Sequence, residues 1–224
     1  MMIKVFVNNK HKDSLLMDEL LEKTEALSSE FSRIFEYGPV DESKRVIASW
    51  LMCSVALEHS VSLRKLMLHG NYTTAIGVMR LQFEAAARAT WLYYAASDIA
   101  IDKMTRILTA DNANADNSLP MVSEMIKKLG KKAPKQAVAM FTEFKDVSYK
   151  ALSSYIHGGI HALQRHGSGY PEELLENVIK SSNGLLTMTA MMAAILTGNN
   201  VIAKDVSSIQ RKHEDCLPQL LVKA

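Results

Sequence analysis

The chain has 224 residues, a formal net charge of +2, 48% hydrophobic and 22% charged residues. That composition excludes a disordered chain. It also excludes a strongly basic binder of nucleic acid or anionic membrane held by overall charge, although a local RNA site stays open.

Ala, Leu, Met, Glu and Lys dominate, and only five prolines interrupt. The expectation is an all-α, single-domain bundle over residues 1–224, with four to five long antiparallel helices plus short ones. "IKVFV" near the start (within 1–10) reads as a tail or short strand. A first helix is expected from about Asp13 to Tyr37, with Leu16, Leu20, Leu27, Phe31 and Phe35 at helical spacing and Gly38–Pro39 as its stop. The second runs from near Asp41 to His69 with Gly70 as its end, and the third from near Asn71 to about Ser97. Their short link predicts an antiparallel hairpin.

"DNANADNS", 111–118, is a polar internal loop, followed by a short helix over 119–129. The segment 127–135, "KKLGKKAPK", holds five lysines and reads as a basic loop, a solvated linker or a nucleic-acid contact. A fourth long helix is expected from about Pro134 to His166, kinked near Gly158–Gly159. A fifth opens after Pro171 with Glu172 and Glu173 in its first turn and ends at Gly198. A last helix covers about Asp205 to Cys216.

No charge falls between Ser181 and Ala203, but the strongly apolar part, Leu185 to Thr197, is shorter than the roughly 18–20 residues a membrane span needs. It reads as a helix buried in a soluble bundle, so no membrane partner is expected. "MMIKVFVNNK" lacks the apolar core of a signal peptide. Cys53 and Cys216 form no metal or redox motif and read as reduced thiols of a cytoplasmic protein. Of the 13 methionines, Met188, Met191 and Met192 read as core fillers.

Two constellations stand out. On the third helix the charges Arg80, Glu84 and Arg88 are four residues apart, with Trp91 on the same line. The other faces are apolar, so this line points into a polar groove or a buried network. Burying such charges is costly unless each is paired, which leaves two readings: a salt-bridge ladder or an anion pocket. On the fourth helix, Lys150, Ser153, Ser154, His157, His161 and Arg165 share one side. His157 suits proton transfer near neutrality, and arginines suit a phosphate. His157 and His161 have ligand spacing, but HxxxH without a third ligand falls short of a metal site, so neither metal nor cofactor is expected. The catalytic candidates are therefore His157, Arg88, Glu84 and Arg80, and the ligand-binding candidates are Lys150, Ser153, His161 and Trp91. Glu58 and His59 read as a surface pair or as further groove residues.

"MRLQFEAAARATWL" (Met79–Leu92) with "YKALSSYIHGG" (Tyr149–Gly159) resembles a group of bacterial helical proteins of unknown function that pair an Arg-x3-Glu-x3-Arg helix with a Tyr-x2-Leu-Ser-x3-His segment. That group in turn is similar to HEPN-type bundles, and the resemblance covers about Leu51 to Leu196. It implies a homodimeric, metal-independent ribonuclease of toxin–antitoxin or anti-phage systems, with RNA as substrate and an antitoxin as partner. His157 would be the general acid/base, and an arginine would stabilise phosphoryl charge. Lys150 stands at the arginine's place, giving Lys-x6-His, and lysine lacks the bidentate fork. Either Arg80 or Arg88 substitutes in space, or the bundle is non-catalytic and binds a small anionic ligand or partner protein in the same groove.

Overall fold

The computed structural model describes residues 10–107, 109 and 119–219; the expected N-terminal strand or tail, up to residue 9, and the 111–118 loop lie outside them. Among the described residues the chain is helical and contains no strand. Four helices of 23 to 25 residues make the frame: α1 (Lys10–Ser32), α2 (Lys44–Leu68), α3 (Tyr72–Tyr94) and α9 (Glu172–Leu196).

The α2–α3 hairpin forms as its short link requires. Ser43 caps α2 by accepting from the Val46 N–H, and Gly70 takes a positive φ of 72° in the connection. Small residues let the two helices close up: Ala85, Ala86, Ala87 and Ala89 are all buried, and the Ser49 hydroxyl donates to the Ala89 carbonyl at 2.8 Å. Arg45 of α2 caps the end of α3. Its Nη1 donates to the Leu92 and Ala96 carbonyls at 2.7 and 2.9 Å, and its Nη2 pairs with Asp98 at 2.7 Å. These carbonyls are the acceptors a helix end leaves orphaned, and a cation there also meets the negative end of the helix dipole.

Several elements differ from the sequence expectation. Helix α1 ends in a 3-10 turn, Arg33–Glu36. A short α4 (Asp98–Thr105), capped by Ser97, follows α3; eight residues were too few for a periodic pattern to show. The short helix α5 spans Val122–Leu129, so Lys127 and Lys128 are its last turn and not loop. The expected fourth long helix is in pieces: α6 (Lys135–Phe144), a π-turn (Lys145–Tyr149), α7 (Lys150–Ile156) and α8 (Ile160–Ser168). Gly158, with φ of 63°, ends α7 outright. A Cβ on Gly159 would lie 2.6 Å from Ser154 Oγ, so this glycine makes room for its own preceding turn and not for a second helix. The last helix, α10, starts earlier than expected, at Asn200, and ends at Lys212; Glu214–Cys216 is a 3-10 turn.

Helix α9 is the centre, packed on α1, α2, α3 and α10, with Leu186, Ala190, Ala193, Ala194 and Leu196 fully buried. Among the described residues α2 is the one helix long and apolar enough, by length and composition, to cross a membrane; Cys53, Ala56 and Leu63 on its inner face are buried in the core. Both cysteines are buried and unpaired with each other, and burial alone pushes the Cys53 thiol far above its ordinary value, so it is inert as a nucleophile.

Candidate functional site

Arg80 and Glu84 face the π-turn, and the side chain that meets them is Tyr149. Arg80 Nε donates to Glu84 Oε1 at 2.9 Å, and its Nη2 donates to the Tyr149 hydroxyl oxygen at 2.8 Å. That hydroxyl donates in turn to Glu84 Oε1 at 2.8 Å, which closes a ring of three groups. The guanidinium carbon lies 4.4 Å from the centre of the Tyr149 ring, within cation–π range. With the Arg80 and Glu84 side chains only 13% and 28% exposed, these bonds are poorly screened. Burial lowers the Arg80 pKa, but Glu84 and Tyr149 more than offset it and leave it above its ordinary value. Burial, then the bond to Glu84, holds the Tyr149 phenol above its usual range.

An aromatic cluster places this ring. Phe83, fully buried on α3, stacks on Phe144 with centroids 4.5 Å apart and meets Phe141 and Tyr149 at 6.1 and 5.8 Å. The π-turn is the wider coil that brings Phe141, Phe144 and Tyr149 onto one α3 residue. Tyr149 was absent from the candidate residues. Its signal was its place at the head of the Tyr-x2-Leu-Ser-x3-His segment, and its distance from Arg80 in the chain gave no hint of contact.

None of the remaining candidates bonds to a side chain of this triad among the described residues. Arg88 forms no hydrogen bond or ion pair among the described residues, and its Nε is buried without a partner, so the charge ladder stops at Glu84. Trp91 is 1% exposed, and its Nε1 is also buried and unbonded among the described residues. Ser153 donates back to the Tyr149 carbonyl within the helix at 2.9 Å. Lys150 and His157 begin and follow α7, both exposed. Ile156 packs where a Cβ on Gly77 would touch its Cδ1 at 3.4 Å, so His157 sits at the Gly77 end of α3. Arg88 is eleven residues further on, roughly 16 Å along a helix axis. His161 is exposed beyond the break, its N–H held by Ser154 Oγ at 2.9 Å. Glu58 is exposed, and burial lowers the pKa of the half-buried His59. Among the described residues no group of three or more His, Cys, Asp or Glu is placed to hold a metal ion.

A second feature was not foreseen. A cavity of about 590 Å³ opens between α3, α6, α9, α10 and the C-terminal 3-10 turn. Met140, Met188, Met191 and Met192 line it with Phe141, Ile195 and Leu217, while Gln136, Ser207, Gln210, Arg211 and Glu214 supply its polar groups. Met188 and Met191, partly buried, pack against the core as expected and also wall the cavity; Met192 is buried in the core and still reaches it. Gly184 belongs to the same wall, since a Cβ there would stand 2.9 Å from the Pro218 ring.

A family model, described as a family of unknown function, DUF6988, matches residues 53–219, more than half of the chain. The chain belongs to the DUF6988 family. The DUF6988 match takes in Arg80, Glu84, Tyr149 and His157, and every residue of the methionine-lined cavity from Thr90 to Pro218. No curated protein and no solved structure matches the chain.

Proposed function

We propose that this DUF6988 protein is a non-catalytic helical bundle that binds a small, largely apolar ligand. The methionine-lined cavity carries the reading. Its 590 Å³ falls within the range of ligand sites, and its lining is mostly apolar with a few polar groups. Methionine suits such a site because its flexible, polarisable side chain adapts to more than one shape. Arg211 and Gln210 would orient a polar or anionic head group. The Arg80–Glu84–Tyr149 ring is better suited to fixing the α3–α7 register than to chemistry. Arg80 Nε and Nη2, the Tyr149 hydroxyl and Glu84 Oε1 already serve one another, and a phosphate gripped by that face of the guanidinium would have to displace these bonds.

The test is equilibrium binding of 1-anilinonaphthalene-8-sulfonate and of dodecanoate to the purified protein. Both should bind with one site per chain, and Met191→Trp should abolish binding while leaving the circular dichroism unchanged. Equal affinity in Met191→Trp would falsify the cavity as the site.

A second reading, the metal-independent ribonuclease with a homodimeric site, is favoured by one observation. Lys150 opens α7 and His157 directly follows its last residue, both exposed, so a basic group and an imidazole flank one short exposed helix. Ile160 and Leu163, 63% and 73% exposed, follow directly on α8, an apolar surface that a second copy would cover. RNA cleavage in EDTA that is lost in His157→Ala, together with a dimeric mass in solution, would establish this reading. Cleavage unchanged by His157→Ala would remove it. An antitoxin partner and a cytoplasmic location go with this reading.

A further inference from the structure

The chain's sulfur atoms fall into two environments. Met188, Met191 and Met192 stand at i, i+3 and i+4 on α9 and so share one face, and Met140 of α6 meets the same cavity. Met140, Met188 and Met191 are partly exposed there. Met67, Met79 and Met125, by contrast, are shut into the core at 4% exposure or less. Both cysteines are buried as well, and burial pushes the Cys53 thiol far above its ordinary value and the Cys216 thiol up to about 11. The thiolate, not the thiol, is the species that reacts with a peroxide, so near neutral pH neither cysteine answers to one. A thioether needs no ionisation. It reacts wherever its side chain reaches water, and the cavity wall is such a place.

We propose that the methionine-lined cavity is a peroxide-sensitive site, in which oxidation of Met140, Met188 and Met191 to sulfoxides expels an apolar ligand and reduction restores binding. The inference rests on the reading of this cavity as a ligand site. In each step the thioether sulfur takes one oxygen from hydrogen peroxide, the O–O bond breaks, and the other oxygen leaves as water. Sulfur loses two electrons and the peroxide gains them. Reversal consumes two thiols, which leave as a disulfide together with water. Oxidation turns a flexible apolar side chain into a polar one that carries a strong acceptor. Phe141, Ile195 and Leu217 share the wall and offer that acceptor no side-chain donor, so a sulfoxide among them opposes the burial of an apolar ligand.

The experiment treats the full chain with graded hydrogen peroxide, maps sulfoxides by peptide mass spectrometry, and then measures equilibrium binding of dodecanoate. Once Met140, Met188 and Met191 carry sulfoxides, affinity should fall by roughly tenfold or more, the scale set by one unpaired polar group in an apolar wall. Methionine sulfoxide reductases of both epimer specificities, supplied with dithiothreitol, should restore it. Met140→Leu/Met188→Leu/Met191→Leu keeps the wall apolar and close to its volume, so this variant should bind before peroxide and equally well after it. Met121→Leu removes a methionine that is 68% exposed and lies outside the cavity lining, and it should leave the peroxide response in place. Unchanged affinity after all three sulfoxides have formed overturns the proposal. So does an equal loss in the triple leucine variant, binding that the reductases do not restore, or oxidation that reaches Met121 and none of the three. A helical circular dichroism signal that falls in step with affinity also overturns it, since the loss would then be unfolding. Should the triple variant not fold, reductase recovery of the unaltered chain decides. Absence of dodecanoate binding before any peroxide is added removes the ligand-site reading itself, and this inference with it.

Discussion

The Tyr149 hydroxyl and the Glu84 carboxylate, 65 residues apart in the chain, meet at 2.8 Å. This bond joins the two segments that carry the chain's most distinctive sequence pattern. It also uses the carboxylate that would otherwise have been the natural partner of Arg88.

Tyr149→Phe keeps the ring against Phe83 and removes only the hydroxyl. It leaves a part-buried carboxylate with one donor fewer and Arg80 Nη2 without its acceptor. The expected loss is about 1–3 kcal/mol of folding stability, read from urea unfolding. Glu84→Gln should cost a similar amount, and the double variant less than the sum, because the two share one bond. Strict additivity would show that the ring is not a unit.

Glu30 links α1 to the end of α10. It accepts from Lys212 at 2.6 Å and from His213 Nε2 at 2.9 Å, and these two partners, Lys212 the larger, hold its carboxyl below the ordinary value. A carboxyl with a lower pKa folded than unfolded adds stability above the unfolded value, near 4.3, and loses it as pH falls through the folded value. Urea midpoints between pH 6 and pH 3 should therefore fall more steeply in the unaltered protein than in Glu30→Gln. Parallel acid limbs would refute the link.

Gly198 ends α9 with φ of 68°, and a Cβ there would stand 2.6 Å from Val40 Cγ2. The neighbouring Val40 N–H donates to the Leu196 carbonyl at 2.8 Å, so Val40 is not free to retreat. Gly198→Ala should cost about 1–3 kcal/mol, from left-handed backbone strain plus the clash. Adding Val40→Ala should return only the clash part. Thermal unfolding of the three variants separates the contributions.

Arg45→Met keeps most of the stem and deletes the guanidinium that caps α3. Two helix-end carbonyls lose their donor and Asp98 loses its cation. About 1–3 kcal/mol should be lost, with amide exchange accelerating first around Leu92–Ala96. Uniform acceleration across the chain would argue against a local cap.

Helix periodicity, caps and glycine stops are local properties, so the sequence alone determined the all-α class and the ends of α2, α3 and α9 to within a few residues. It also determined that Arg80, Glu84, Arg88 and Trp91 share one face of α3, because four-residue spacing and a helix suffice for that. Local rules did not show that α6, α7 and α8 are separate. A glycine pair is compatible with a kinked helix or a broken one, and the positive φ of Gly158 decides between them. Nor could spacing reveal Tyr149 as the partner of Arg80 and Glu84, or that Met188, packed against the core, also walls a cavity. Periodicity says that a side chain points inward. Whether another side chain fills the space it points into depends on residues distant in the chain, and only the packed structure brings those together.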